Sequence, residues 1–561
     1  MEIRTVPFHR AMRKLFAVLL VAGAVSVAAD DAYRALQSGS ASGPAPLHER
    51  GIYGQGQIIA IIDTGADYRS CSLIEPDGSA PPVNTGTPYG GLQWQNVDLT
   101  RRKIVAYDFL FSCDQYPGFT GCDQFGLTGA LDNQGHGTHS AATAAGDRET
   151  PLVHDLSDGV APGAQLIVQD AGFVPTGDAC TQLPGVGCPA KLTPIFEQAY
   201  QQGARIHSNS WGDRQNTPPG LPTPTANYPQ SAYDVDAFVW SHPDSLVIFN
   251  TGNLGQVMAT PRSSLSAPGS AKNTLQIGGT RTSAADDDTL AYFTLFGPAR
   301  DGRIKPDLVA PARVLAGRGD VDGNPTTCEQ RFEEGTSWAS PAVAGAAALA
   351  RQYYTDGFYP TGAAVASNAM TPSAALLKAT LIAGARAVPR RGDIVTNRKV
   401  ATLPVPSHEQ GWGFPVLDDA LYLAGDAKKL HVVDVPLANG LAEGTSAIVR
   451  LNVKAGTPLK AVLVWTDPPG HIAAVSDTTP QLVNDLDLSV TTSVGTLLGN
   501  GSTPDRINNV EVVSLTAPPS GIATFTVSAH HLGFGQRQSY ALVITGDLTS
   551  APMARARAVR H

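Results

Sequence analysis

The sequence predicts a chain in two parts, an α/β domain on a mainly parallel sheet over residues 47–425 and an all-β, jelly-roll-like sandwich over residues 430–548. Two patterns and the length carry this. In the first part, continuous apolar runs of strand length alternate with helical patterns, as expected where helices cover both faces of a parallel sheet. In the second, β-branched residues alternate with polar ones between turn residues. A length of 561 residues exceeds what one hydrophobic core usually supports.

Arg10, Arg13 and Lys14 precede an apolar run, Leu15 to Ala29, that is short for a bilayer span and carries small residues at Val27 and Ala29. This is the pattern of a signal peptide over residues 1–29, cut before Asp30, with Met12 as an alternative start. Residues 30–46, rich in Gly, Ser, Ala and Pro, read as a short linker or residual pro-segment. Strands are expected at Gln57–Ile62, Gln165–Val168, Arg205–Asn209, Leu246–Asn250 and Thr274–Gly278. Helices are expected at Thr193–Gln202, Ser231–Ser241 and Ser337–Tyr354, the last with enough Ala and Gly to pack closely inside the domain. Ala447–Val453, Leu459–Trp465, Leu486–Thr491 and Gly521–Ser528 are the sandwich strands, and residues 549–561, with Arg555, Arg557 and Arg560, read as a solvated tail.

With 42% hydrophobic and 16% charged residues, 57 glycines and 42 prolines, the chain is globular and loop-rich. Its net charge of -9 supplies no basic field for a polyphosphate, which argues against nucleic acid as a partner. No further run is apolar enough for membrane insertion, and a monomer is expected. Cys71, Cys113, Cys122, Cys180, Cys188 and Cys328 in an exported chain point to disulfides. Six cysteines allow fifteen pairings. Short loops favour Cys113 with Cys122 and Cys180 with Cys188, leaving Cys71 for Cys328.

The chemistry lies in three short motifs. A serine hydroxyl attacks an amide only beside a base that an acid holds in the right tautomer. Ile61-Ile62-Asp63-Thr64-Gly65 puts an acid at a strand end, Gly135-His136-Gly137-Thr138-His139 puts a histidine before an Ala-rich helix, and Gly335-Thr336-Ser337-Trp338-Ala339-Ser340-Pro341 puts a serine at a helix start. Each alone is ordinary turn or cap text. Together, in the order Asp, His, Ser, they make Asp63, His136 and Ser337 the candidate triad. His136 and His139 are spaced to face a metal, but the glutamate of an H-E-x-x-H site is missing, which favours a packed structural role for His139.

That chain order is the subtilisin order, and over residues 47–425 the sequence resembles the subtilisin-like serine peptidases. The resemblance implies a three-layer catalytic domain and a secreted serine endopeptidase, extracellular or periplasmic, that cuts protein or peptide substrates through an acyl-enzyme. It implies that Ser210, Trp211 and Gly212 form an edge for the substrate backbone, and that Thr251 and Gly252 lead to Asn253, whose amide joins the Ser337 N–H in an oxyanion hole. Asp301–Asp307 and Val343–Ala347 are further family-like text. Trp338 stands where the family most often has methionine, and only residues 30–46 are left for the inhibitory propeptide that many such enzymes carry.

Leu463–Pro468 and Asn484–Leu488 resemble the β-sandwich appended to some bacterial alkaline proteases of this type. The chemistry needs no cofactor. Asp467, Asp485, Asp487 and Glu511 offer hard oxygen atoms for structural calcium, while turn carboxylates facing water are the commoner use of such residues. The intact triad argues against a non-catalytic scaffold, and no G-x-S-x-G elbow surrounds Ser337 to indicate an α/β-hydrolase esterase. A peptide ligase would share the acyl-enzyme and differ only in acceptor.

Overall fold

The computed structural model describes residues 31–84, 96–110, 132, 135–148, 155–171, 192–212, 226–253, 264–281, 289–319, 328–388, 390–392, 399–474 and 476–550. The expected signal peptide, Cys113, Cys122, Cys180, Cys188 and most of the expected tail lie outside these residues. Helix α1 (Ala32–Ser38) comes first. Residues 30–46 were expected to be a short linker or residual pro-segment, and the helix within them packs into the core of the α/β part. Tyr33 and Leu36 are buried in its core, and Gln37 accepts hydrogen bonds from the Leu47 and His48 amides at 2.9 and 3.2 Å. Burying Leu36 contributes about 1.5–3 kcal/mol. Two turns of helix are too short a period to stand out among the glycines and serines that follow.

The catalytic sheet is built on a parallel row of β1 (Ile58–Asp63), β2 (Ile104–Phe109), β3 (Gln165–Asp170), β4 (Ile206–Asn209), β5 (Leu246–Asn250), β6 (Leu275–Thr280) and β7 (Leu308–Pro311), in spatial order 2-3-1-4-5-6-7, with the short strand Val83–Asn84 parallel beside β2. The residues of β5 and β6 are buried throughout, as both-sided cover requires. The register sets Asp63 opposite Asp170 and Ile62 opposite Asn209, so the carboxyl ends of β1, β3 and β4 lie level. Helices α2 (His136–Ala145), α3 (Thr193–Gln201), α4 (Gln230–Ser241), α5 (Thr336–Thr355) and α6 (Ala374–Ala383) surround the sheet. From Thr336 to Ala350 every residue of α5 is buried, which its alanines and Gly345 permit. The resemblance-based Asp301–Asp307 segment folds around buried ion pairs, with Asp307 between Lys305 and Lys378 at 2.6 and 2.7 Å.

The carboxy-terminal part is an antiparallel sandwich of a four-stranded and a five-stranded sheet. Trp465, Leu486, Leu488 and Phe525 fill the space between its sheets. Much of the outer face of the four-stranded sheet is covered. Val462, Val464, Ala541 and Val543 join the catalytic core, and α6 is buried on all sides beneath them. The two predicted domains therefore share apolar packing. The strand Leu548–Ser550, at the start of the expected tail, pairs with Leu451–Val453.

Cys71 and Cys328 form a disulfide across 257 residues of sequence, with Cα atoms 4.9 Å apart. Replacing both with serine is expected to lower stability by about 2–4 kcal/mol, because the unfolded chain loses a long loop constraint. Thermal unfolding of the double variant beside the parent, without reductant, checks this; an unchanged Tm would contradict it.

Candidate active site

In a parallel sheet the strand carboxyl ends and the helix amino ends gather at one edge, where unpaired backbone groups and loops collect. Asp63 ends β1, His136 opens α2 and Ser337 lies in the first turn of α5. The Asp63 carboxylate is buried, and three hydrogen bonds hold it in one pose. Oδ1 accepts from the Thr64 amide at 2.8 Å and from His136 Nδ1 at 2.6 Å, while Oδ2 accepts from the Ser140 hydroxyl at 3.0 Å. Because Nδ1–H is committed to Asp63, the imidazole presents Nε2 as its free basic nitrogen. Side-chain exposure is 32% at His136 and 1% at Asp63, so the base is reachable while its acid is shielded.

Burial alone would lower the pKa of His136. The charge and hydrogen bond of Asp63 outweigh it, with smaller help from Asp132 and Glu333, and the pKa is raised above the ordinary 6.5. Asp132 fixes the helix start, accepting from the Gly135 and Thr138 amides at 2.9 and 2.7 Å and from the hydroxyls of Thr64 and Thr138, both at 2.9 Å. Gly137 lets α2 come this close, since a side chain there would overlap the Gly65 carbonyl oxygen.

Ser337 is held by its own backbone. Pro341 has no N–H, so the Ser337 carbonyl loses its intrahelical donor four residues on. The Ser210 hydroxyl fills that place at 2.6 Å, and Ser337 Oγ donates back to the Ser210 carbonyl at 3.4 Å. The Trp338 ring packs against both His136 and His139, with centroids 4.7 and 4.2 Å away. His139 itself is buried, its Nε2 lies 3.1 Å from the Arg331 carbonyl, and burial pushes its pKa down to about 4. It is neutral and built into the packing.

Asn253 follows β5. Its Oδ1 accepts from the Thr336 amide at 2.8 Å and the Thr336 hydroxyl at 2.9 Å, which turns Nδ2 the other way. A methyl group placed on Gly335 would lie 3.3 Å from that Nδ2 and 3.7 Å from the Ser337 amide nitrogen, so both donors border one small space. The remaining residues expected to meet substrate are arranged differently from one another. Ser210 is buried and spends its hydroxyl on Ser337. Trp211 is buried against Phe249, ring centroids 5.2 Å apart. Gly212 lies against Ser266, Thr251 is buried with its hydroxyl 3.3 Å from that of Thr294, and Gly252 takes a left-handed φ of 91° that carries the chain to Asn253.

The four carboxylates expected to hold calcium fall into two settings, Asp467 by itself and the other three around Arg506. Asp467 is buried with the Lys272 ammonium and docks the sandwich on the catalytic domain. Asp485 and Asp487 pair with Arg506 at 3.1 and 2.6 Å. Glu511 accepts from the Leu488 amide at 2.6 Å, and burial raises its pKa to about 9, so it stays protonated at neutral pH. Among the described residues no group of three or more His, Cys, Asp or Glu side chains is placed to hold a metal.

Sequence reasoning passed over Ser140 and Asp132. The first was findable, since a residue four past His136 on a helix lies on the same face. Asp132 gives no such period.

A parallel α/β sheet with an acid, a histidine and a serine in this order at its carboxyl edge defines a class of serine hydrolase. Residues 54–413 match the subtilase family, and the chain belongs to that family. It is 25% identical to the Serine protease/ABC transporter B family protein tagD of Dictyostelium discoideum over 83% of this chain and 30% of that protein. Bacillopeptidase F of Bacillus subtilis (strain 168) is 26% identical over 54% of this chain and 18% of its own length. The chain thus spans under a third of the length of these relatives. Among the described residues no helix is long and apolar enough to cross a membrane.

Proposed function

We propose that the chain is an exported endopeptidase in which Ser337 is the nucleophile, His136 the general base and acid, and Asp63 the group that orients and stabilises the histidine. The observation that carries this reading is the 2.6 Å contact from His136 Nδ1 to an Asp63 carboxylate that Thr64 and Ser140 also hold. Ser337 Oγ bonds to the substrate carbonyl carbon as its proton passes to His136 Nε2, and the C=O π pair moves onto oxygen. Collapse returns the pair, breaks the C–N bond, and sends the proton from Nε2 to the leaving amine. Water then repeats the sequence on the acyl-enzyme. Export rests on the amino-terminal sequence pattern and the Cys71–Cys328 disulfide.

Labelling with a fluorophosphonate tests the assignment through its pH dependence. His136 is a base only when neutral, so the rate of labelling at Ser337 should rise with pH and reach half its maximum above 6.5. A half-maximum at or below 6.5, or labelling at another residue, counts against it. The sign also fixes the linkage: stability from the protonated His136–Asp63 pair is present below the unfolded histidine pKa and is lost as pH rises through the raised value.

A further inference from the structure

Buried indole N–H groups normally find an acceptor, and those that do not call for a physical explanation. Trp338 is 5% exposed, and among the described residues its Nε1 has no hydrogen-bond partner. The ring packs against both His136 and His139. The position of this nitrogen is specific. The point where a methyl on Gly335 would sit lies 3.6 Å from Trp338 Nε1, 3.3 Å from Asn253 Nδ2 and 3.7 Å from the Ser337 amide nitrogen. Three N–H donors of different origin therefore border one space beside the candidate nucleophile, and Gly335 leaves it empty.

All three have donor capacity to spare. Asn253 has its oxygen occupied by Thr336, which leaves the amide hydrogens to donate. The Ser337 amide belongs to the first helical turn, where no intrahelical carbonyl is available. The indole can only donate.

We infer that Trp338 is a catalytic residue, its indole N–H acting as a third donor to the substrate carbonyl oxygen as that oxygen becomes an oxyanion. The inference rests on the acyl-enzyme reading above. When the Ser337 Oγ–carbon bond forms and the C=O π pair moves onto oxygen, that oxygen holds three lone pairs for three donors. The ground-state carbonyl is flatter, carries less charge and is met less well, so the indole bond strengthens toward the transition state.

The test compares Trp338→Phe with the parent, counting active sites by fluorophosphonate titration so that misfolded protein does not enter the rate. Phenylalanine keeps an aromatic ring against the two histidines and removes the donor. On a peptide amide substrate kcat should fall roughly tenfold, less than for loss of a principal oxyanion donor, with KM little changed. Affinity for a peptide boronate, whose tetrahedral adduct places an oxygen in this space, should fall by a similar factor. The pH midpoint of kcat/KM should stay put, which separates the donor role from an effect through His136 stacking. In the parent labelled with 15N-tryptophan, one of the six indole resonances should move downfield when the boronate binds. That readout needs no variant to fold. Failure of fluorophosphonate to label Ser337 would overturn the acyl-enzyme reading. Normal labelling with unchanged kcat and boronate affinity in Trp338→Phe, a shifted pH midpoint that accounts for the loss, or no indole shift in the parent would overturn the donor role alone.

Discussion

Ser337→Ala is expected to abolish peptide hydrolysis while leaving the protein folded. The acyl-enzyme needs the hydroxyl oxygen, which alanine lacks. In subtilisin, a member of the same family, removing the nucleophile costs about 2 × 10⁶ in kcat, and a loss of that order is expected here. Folding should survive because the strong contact at this residue is made by its backbone. The Ser210 hydroxyl donates to the Ser337 carbonyl at 2.6 Å, which alanine also provides. The side chain gives up only a 3.4 Å bond to the Ser210 carbonyl, worth no more than about 1 kcal/mol. Turnover of a peptide amide and thermal unfolding, measured on the same preparation, check both halves. Retained turnover would remove Ser337 from the triad; loss of both activity and folding would show that the hydroxyl is a structural group.

Much of this site was legible in the sequence because its parts are local. Ile58–Asp63 is apolar until its last residue, so the acid is marked by the place where the run stops, and Gly335-Thr336-Ser337 is marked by the alanine-rich helix it opens. The parallel strands could be read for the same reason: residues buried on both faces leave continuous apolar text. What escaped depends on partners far away in the chain. The part played by the Ser210 hydroxyl depends on Pro341, 131 positions later, which frees the carbonyl that it binds. Asp467 looks like a turn carboxylate or a calcium ligand until Lys272 is placed against it. The helix Ala32–Ser38 carries too few turns to show a period, and its burial comes from a surface built by the rest of the domain. Trp338 was visible as an odd residue, but only its orphaned indole nitrogen gives that oddity a chemical meaning.

Asn253→Ala is expected to lower kcat by about 10²–10³ with little change in KM, the scale known for an oxyanion-hole donor in subtilisin. The structure adds a complication that a single variant does not resolve. Asn253 Oδ1 also accepts from the amide and hydroxyl of Thr336, the first residue of the helix that carries Ser337. Alanine therefore removes two things, the donor on Nδ2 and a cap on that helix, and loss of a cap typically costs about 1 kcal/mol. Asn253→Asp separates them. A carboxylate keeps the acceptor for Thr336, and its negative charge suits a helix amino end, so the stability lost in the alanine variant should largely return. It has no N–H to give, and it puts like charge beside the oxygen that becomes negative. Turnover should then fall at least as far as in the alanine variant. Rates per titrated site and unfolding curves for both variants decide the matter. If aspartate restores turnover along with stability, Asn253 acts only by holding the helix, and the oxyanion role passes to the Ser337 amide and its remaining neighbours.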